Sequence, residues 1–325
     1  MTPGDVTALL EARHDRPFDV LGVHRIGRNS WCVAMVPDAT DVTATFRRKS
    51  VKLDRLAGPL FAARVPTSKF HHALEATFED GSVWEFDDPY RFGPVLKDMD
   101  QYLIGEGTHR QLWKALGAHV IEIDGVTGTH FAVWAPNAVR VSVVGDFNNW
   151  DGRRHLMRRV GDTGAWEIFL PKFGDGTLYK YEIAPREGGP YLKADPVGFG
   201  GQHPPETSSV VRDIAGYGWS DSKWLADRAA RQARDHAISI YEVHLGSWRR
   251  TEDGRWLSYK ELAKDLIEYA TWMGFTHLEF MPITEFPFDG SWGYQPLGLY
   301  APTIRFGPPH EFRDLIEAAH EAGLG

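Results

Sequence analysis

The segment from Phe286 to Phe306 is the part of the chain richest in residues that could bind a ligand. Its sequence, FPFDGSWGYQPLGLYAPTIRF, mixes six aromatic rings with glycines, prolines and hydrogen-bonding side chains. The pattern predicts one long loop between a strand and a helix, and such a loop inside a compact domain is usually functional or disordered. Disorder is disfavoured because disordered segments are poor in aromatics. Flat rings beside polar groups suit a sugar, whose ring has apolar faces and a polar edge.

Acidic side chains in or after the two nearest apolar runs are the other candidates for chemistry. They are Glu242, Glu279, Glu285 and Asp289. They could line a site, but we favour ion pairs or hydrogen bonds that orient the loops. Asp19 and His24 have the spacing of an Asp-x-x-x-x-His motif. They lie far from these runs, in the N-terminal part of the chain, and we expect no catalysis from them. The sequence has no HExxH-type histidine pair and no Gly-rich phosphate loop, so we predict neither a metal site nor a cofactor.

Strand and helix patterns alternate in the part of the chain that carries these residues. Apolar runs at 238–244 and 275–282 have the length of buried strands. The residues at 258–274 and 308–323 have helical periodicity, and the first of these helices starts at a Ser-x-x-Glu capping box. Parallel strands joined by helices close into a (β/α)8 barrel, which takes typically about 250 residues. We therefore predict that 223–325 holds the first two βα units of an incomplete TIM barrel.

Active sites of such barrels lie in the loops that follow the carboxyl ends of the strands. Trp248 follows the first predicted strand, and Trp292 and Tyr294 follow the second. Their placement favours contact with a ligand. Packing at the rim of the barrel is the alternative for each ring.

Short alternating runs fill the chain before residue 223. Runs such as WCVAMVP, VTATF, HFAVWAP and AWEIFL, separated by Gly, Pro, Asp and Asn, are typical of antiparallel sandwiches. Residues 22–39 resemble residues 117–138, since each begins Gly-x-His and continues into an apolar run that ends in Pro-Asp-Ala or Pro-Asn-Ala. This repeat predicts two tandem all-β immunoglobulin-like sandwiches, at 1–105 and 106–222. A capping box at Thr2 predicts a short helix before them.

Composition excludes several classes of function. The chain has 325 residues, a formal net charge of −8 and no long basic run, which argues against a nucleic-acid or membrane-surface partner. Its single cysteine, Cys32, excludes an internal disulfide and is interpreted as a buried free thiol. No signal peptide or membrane-spanning run is recognised, so a cytoplasmic location is expected. The oligomeric state is not predicted.

Several motifs resemble the glycogen branching enzymes, which are 1,4-alpha-glucan branching enzymes of the alpha-amylase superfamily. YEVHLGSWRR (241–250) and THLEFMPITEFPFDGSWGYQPLGLYAPTIRFG (276–307) resemble the start of their catalytic barrel. FAVWAPNAVRVSVVGDFNNWDGRRHLMR (131–158) is similar to their glycogen-binding-type sandwich, and RPFDVLGVH (16–24) to an additional N-terminal sandwich. The Gly-Tyr-Gln triplet at 293–295 distinguishes this family from trehalohydrolases, which carry Asp after the Tyr.

The resemblance implies an alpha-1,4-glucan as the binding partner. It assigns substrate contacts to Tyr294, which would stack on the sugar, and to other residues of the same motif: Asp289, Trp292 and Gln295. In the second sandwich, Trp150 is the candidate for a sugar contact, with rim packing as the alternative, whereas Trp134 is expected in the core. A retaining enzyme needs two carboxyl groups about 5 to 5.5 Å apart. The resemblance implies that these lie beyond Gly325, so we assign no catalytic residue and expect this chain to be inactive alone.

Two other functions remain compatible with the sequence. A non-catalytic protein that binds alpha-glucans would use the same aromatic residues without performing the transfer. A debranching or trehalohydrolase-type relative is disfavoured by Gln295.

Overall fold

The computed structural model describes residues 1–47, 49–66 and 72–325. Contacts divide the chain into two compact units, Met1–Asp195 and Pro196–Gly325. The first unit is built mainly from antiparallel strands, and the second from both strands and helices. The chain is therefore mostly β-sheet with a few helices. The predicted boundaries after 105 and 222 fall inside these units and stay predictions.

Seven antiparallel strands form the first sheet. They are β1 (Gly22–Ile26), β2 (Asn29–Met35), β3 (Ala39–Phe46), β4 (Lys49–Ala57), β5 (Leu60–Val65), β6 (His72–Phe78) and β7 (Val83–Asp87). Their order in the sheet is β1-β2-β5-β4-β3-β6-β7. Helix α1 (Pro3–Leu10) precedes them and begins at the predicted capping box, in which Thr2 and Asp5 each accept a backbone N–H.

Alternate residues of these strands form one hydrophobic core. Cys32 and Ala34 from β2, Val42 and Ala44 from β3, and Phe61 from β5 are all buried in it. The prediction that Cys32 is a buried free thiol is confirmed. Burial raises the pKa of this thiol, which keeps it protonated and unreactive.

The rest of the first unit contains helix α2 and two further antiparallel sheets. The elements are α2 (Asp98–Gly105), β8 (Gly117–Ile123), β9 (Val126–Trp134), β10 (Ala138–Val144), β11 (Arg158–Val160), β12 (Ala165–Pro171), β13 (Leu178–Pro185) and β14 (Tyr191–Lys193). One sheet has the order β11-β12-β9-β8, and the other pairs β10 with β13 and β13 with β14. Aromatic rings fill the core, where Phe131 meets Tyr179 at 4.9 Å between ring centroids.

The two copies of the predicted repeat have the same local geometry. Gly22 and Gly117 both have a positive φ, of 95° and 99°, which favours glycine. Two residues later, His24 donates from Nε2 to the Leu21 carbonyl at 2.8 Å, and His119 donates to Leu116 at 2.9 Å. The His24 and His119 rings are thus both bound to the backbone three residues earlier.

A buried carboxylate ties α2 to the β8–β12 sheet. Glu167, which is 1% exposed, accepts hydrogen bonds from the backbone N–H of Val95 at 3.1 Å and of Leu96 at 2.9 Å. His130 Nε2 lies 3.0 Å from the same carboxylate. Burial alone would raise the pKa of Glu167, but the hydrogen bond and charge of His130, the Leu96 N–H and the charge of Arg158 lower it below its ordinary value.

The second unit combines strands with helices, and the predicted strand–helix–strand order is present between residues 240 and 280. Its elements are β15 (Ser209–Val210), α3 (Ser222–Arg231), β16 (Ile240–Val243), α4 (Leu245–Trp248), α5 (Tyr259–Met273), β17 (His277–Phe280), β18 (Thr284–Glu285), β19 (Gly298–Pro302) and α6 (Pro309–Glu321). Strands β16 and β17 are parallel, with Val243 opposite Phe280. Helix α5 connects them, and Leu262 and Leu266 on its inner face are fully buried.

The ends of α5 follow the predicted signals. Ser258 caps its first turn in a reciprocal box with Glu261, and Gly274 ends it with a left-handed conformation. After α6, the backbone returns beside β17: Gly325 donates to Thr276 at 3.0 Å and accepts from Leu278 at 2.8 Å. Pairing of this kind is what a third parallel strand would make.

Replacing Glu167 with glutamine is expected to lower the free energy of unfolding of the first unit by about 3 kcal/mol, because Arg158 and two backbone N–H groups lose a buried carboxylate. The folded pKa of Glu167 is depressed, so its contribution is complete above the ordinary value of 4.5 and is lost as the pH falls through the lower, folded value. Urea denaturation at neutral pH and below pH 4.5 measures both effects. Equal midpoints at neutral pH for Glu167→Gln and for the exposed control Glu187→Gln would contradict this assignment.

Candidate functional site

The aromatic segment is a hairpin rather than one long loop. Strand β18 pairs antiparallel with β19, and Ile304–Phe306 form a turn of 3-10 helix. Leu297 donates to the Glu285 carbonyl at 2.7 Å, so the irregular part shrinks to residues 286–297. The prediction of an uninterrupted loop from Phe286 to Phe306 was therefore wrong. Strand β18 has only two residues, which is too short to give a periodic pattern, so its pairing with β19 could not be predicted from the sequence.

Arg305 closes this hairpin through two carboxylates. Its side chain is 1% exposed, and Nη1 lies 2.6 Å from Glu285 Oε1. From Nε it donates to Asp289 Oδ1 at 2.9 Å. Because Glu285 precedes the irregular segment, Asp289 lies near its start and Arg305 follows it, these bonds tie the beginning of the segment to the backbone beyond its end.

Further contacts complete the surroundings of Glu285. Thr303 donates from Oγ1 at 3.0 Å, and the Ile304 N–H donates at 2.9 Å. The Arg305 guanidinium also lies 3.8 Å from the centroid of the buried Phe286 ring. Glu285 and Asp289 therefore have the loop-orienting role that we favoured for them. We name Glu285, Asp289 and Arg305 the arginine clamp.

The rings beyond the arginine clamp point into solvent. Trp292 is 67% exposed and Tyr294 is 64% exposed, and Gln295 beside them is exposed as well. Gly293 between the two rings has a φ of 92°, and a Cβ there would lie 2.7 Å from the Pro282 carbonyl oxygen. Only glycine fits that position, and its turn presents the two neighbouring rings.

His203 is a neighbour of this site that the sequence did not reveal. Its Nε2 lies 3.2 Å from Asp289 Oδ1, on the carboxylate that Arg305 holds. His203 precedes the first residue of the aromatic segment, Phe286, by 83 positions, and only folding brings it close to Asp289. An isolated histidine outside a motif carries no sequence signal of such a contact.

The other candidates of the second unit separate into packed and exposed side chains. Trp248 is half-buried in the core and donates from Nε1 to the Tyr241 hydroxyl at 3.0 Å, so it has the packing role. Glu242 and Glu279 are exposed and lie opposite each other on β16 and β17. Like charges at such paired positions repel each other. Within the described residues, neither carboxylate makes a hydrogen bond to Trp292 or Tyr294.

Trp150 lies in a strained turn of the first unit. Asn149 and Trp150 both have positive φ, 57° and 58°, which is unfavourable for residues other than glycine. Asn148 stabilises the turn, accepting from the Gly145 N–H at 3.0 Å and donating to the Val143 carbonyl at 2.9 Å. The Trp150 indole N–H donates to Asp146 at 2.8 Å, and the side chain is half-buried.

Trp134, which was expected in the core, lies on the surface. It is 57% exposed, and its indole N–H donates to the Thr163 carbonyl at 3.0 Å. The tryptophan of this sheet that is buried is Trp166, at 1% exposure, opposite Val133. Neighbouring residues of a strand face opposite sides, so the apolar run that contains Trp134 does not reveal which side is covered.

No group of three or more His, Cys, Asp or Glu side chains within the described ranges is arranged to hold a metal ion. In the same ranges, no helix is long and apolar enough to cross a membrane.

Family comparisons match two parts of the chain. Residues 2–90 match the N-terminal domain of the alpha-1,4-glucan branching enzyme GlgB. Residues 115–198 match carbohydrate-binding module 48, the isoamylase N-terminal domain.

Similar proteins cover nearly the whole chain. The 1,4-alpha-glucan branching enzyme GlgB of Roseobacter denitrificans is 54% identical over 99% of this chain and 45% of its own length. That of Jannaschia sp. is 65% identical over 73% of this chain and 33% of its own length. A 1.4 Å crystal structure of a Salmonella typhimurium protein, provisionally assigned as an alpha amylase, superposes with a TM-score of 0.51 at 26% identity, over 65% of this chain and 32% of that one. The predicted resemblance to the N-terminal portion of branching enzymes is confirmed, and the chain spans about half the length of the curated relatives it matches.

Replacing Arg305 with methionine is expected to open the hairpin, because Glu285 would remain buried with its charge uncompensated. Local opening should become at least about tenfold more frequent, the equivalent of roughly 1.4 kcal/mol. Hydrogen exchange at the Leu297 and Thr303 amides, which close the hairpin, measures this. The exposed Arg250→Met is the control and should leave both rates unchanged; equal rates in the two variants would rule out the clamp.

Proposed function

We propose that this chain, which matches the N-terminal portion of 1,4-alpha-glucan branching enzymes, binds an alpha-1,4-glucan. In this proposal a glucan chain is transferred to a 6-hydroxyl, which forms an alpha-1,6 branch in glycogen biosynthesis. The observation that carries the proposal is the pair of exposed rings, Trp292 and Tyr294, next to a buried ionic support. Exposed rings on a rigid support are the expected platform for the apolar face of a sugar.

Each residue of the motif has a role in this proposal. Tyr294 stacks on the sugar next to the bond that is cleaved, with Trp292 beside it. Gln295, which is exposed and makes no hydrogen bond in the described part of the chain, is available to sugar hydroxyls. Asp289 binds Arg305 and His203 through Oδ1, which leaves Oδ2 as an acceptor.

The finer fold that we propose is two immunoglobulin-like sandwiches, at 1–105 and 106–222, followed at 223–325 by the first βα units of a (β/α)8 barrel. The antiparallel sheets of the first unit support the sandwiches. The parallel pair β16–β17, with α5 between its strands and the backbone of Gly325 alongside, supports the barrel. In the second sandwich, the strained turn at Trp150 is the proposed glycogen contact. A cytoplasmic location is part of the same proposal.

A non-catalytic glucan-binding protein is the second candidate. The observation in its favour is that Glu285 and Asp289, the two carboxylates of the hairpin that carries the exposed rings, are both engaged by Arg305. Both carboxylates are therefore occupied in holding the hairpin, which is a structural role that requires no transfer reaction. Under either candidate the rings bind sugar, and the two differ only in the transfer step.

Glycogen is expected to retard this chain in affinity electrophoresis. Trp150→Ala and Tyr294→Ala should each reduce the retardation, because each removes a proposed stacking surface. Trp272→Ala is the matched control, since Trp272 is 78% exposed on α5 and has no role in the proposal. Retardation that is equal in all four proteins would count against these two residues as sugar contacts.

The chain by itself is expected to form no alpha-1,6 branches. Purified protein incubated with amylose should leave the proton NMR signal of alpha-1,6 linkages at the level of a protein-free control, because the two carboxylates of the hairpin that carries the rings, Glu285 and Asp289, are both bound by Arg305. New branches would refute this expectation and would exclude the non-catalytic candidate.

A further inference from the structure

A cavity of about 270 Å³ lies within the first unit, between the seven-stranded sheet and the strands that follow it. One wall comes from β2 and β7 and the other from the turn at residues 146–148 and the end of β12. Its size is close to the lower limit of small-molecule sites, about 300 Å³. Trp150 is not among its lining residues, so this cavity is separate from the sugar contact proposed above.

Ion pairs neutralise the cations of the cavity. Lys172 Nζ lies 3.0 Å from Asp87 Oδ2. Arg154 Nη2 lies 3.3 Å from Asp38 Oδ2 and donates to the Pro37 carbonyl at 3.1 Å. Lys172 and Arg154 each connect the two walls of the cavity, and the positive charge of each is balanced by a carboxylate. The lining therefore favours a neutral ligand over an anion.

Aromatic rings supply the apolar part of the lining. Trp84 is 38% exposed, and the Arg154 guanidinium lies 5.4 Å from its ring centroid. Across the cavity, Phe147 and Phe173 contact each other at 4.7 Å between ring centroids. Partly exposed rings on opposite walls can contact the faces of a flat, apolar-faced ligand.

Polar groups between these rings are available for hydrogen bonds. The Asn148 amide donates to His155 Nδ1 at 2.9 Å, so the proton of the neutral ring is on Nε2. Burial and the charge of Arg154 lower the pKa of His155 to about 4, which keeps the ring neutral. His155 Nε2 and the exposed Glu85 carboxylate make no hydrogen bond within the described ranges. The cavity thus has both a free donor and a free acceptor.

We propose that this cavity binds a short neutral saccharide, with a pyranose ring against Trp84 and its hydroxyls on His155 and Glu85. Hydroxyl groups both donate and accept, which matches the free donor and acceptor, while the ring faces match the aromatic walls. This site does not depend on the function proposed above, because none of the side chains proposed there to contact the glucan lines this cavity.

Calorimetric titration with maltotriose tests the site in the full chain. The parent for the test is the double variant Trp150→Ala/Tyr294→Ala, which lacks the two rings tested by affinity electrophoresis above. We expect this parent to retain maltotriose binding, and the addition of Trp84→Ala to weaken it about tenfold or more. Trp84→Phe keeps a ring and should restore most of the affinity. Affinity should be equal at low and high salt, because the ligand carries no charge.

Circular dichroism and thermal unfolding establish that each variant is folded. The proposal is overturned if the parent binds no maltotriose, or if Trp84→Ala binds it as tightly as the parent. If Trp150→Ala and Tyr294→Ala have no effect on glycogen retardation while Trp84→Ala abolishes maltotriose binding, the earlier residue assignments fail and this one stands.

Discussion

The ion pairs of Arg305 are the constraint on which the candidate site depends. A guanidinium that is 1% exposed is stable only if its charge is balanced and its N–H groups are bonded. Glu285, which precedes the irregular segment, and Asp289, near its start, balance the charge of Arg305, which follows the segment. The position of Trp292 and Tyr294 thus follows from the electrostatics of a buried group. The rings themselves remain free for a ligand because they contribute little to the core.

Buried carboxylates have the same function elsewhere in the chain. Glu167 joins the backbone before α2 to the β8–β12 sheet, across 72 residues of sequence. Asp195 accepts from the Tyr179 and Tyr181 hydroxyls at 2.7 and 3.1 Å. Each of these anions is satisfied by donors from other elements, so each fixes the relative position of segments that apolar packing would leave adjustable.

Local rules predicted the elements well and the long-range contacts poorly. The capping boxes at Thr2 and Ser258 and the glycine end of α5 depend on a few adjacent residues, and all are present. The exposure of Trp134 and the pairing of β18 with β19 depend on which surface is covered by distant residues, and both were missed. His203 belongs to the second class, since no sequence spacing relates it to Asp289. The loop-orienting role of Glu285 and Asp289 was anticipated, but their common partner Arg305 was not.

Support for the aromatic rings matters because a single sugar–ring contact is weak. Ordering a mobile side chain on binding costs about 0.5 to 1.5 kcal/mol, which would cancel much of what one ring contributes. Trp150 and Tyr294 avoid that cost differently, one through a strained turn fixed by Asn148 and the other beside Gly293 and the arginine clamp. A glucan is a repeating polymer, and binding at one ring raises the effective concentration of glucosyl units at any other ring that the polymer can reach. Under the proposed function, several weak, pre-organised contacts would hold a long glucan while each releases its own unit readily, as an enzyme that must move chain segments requires.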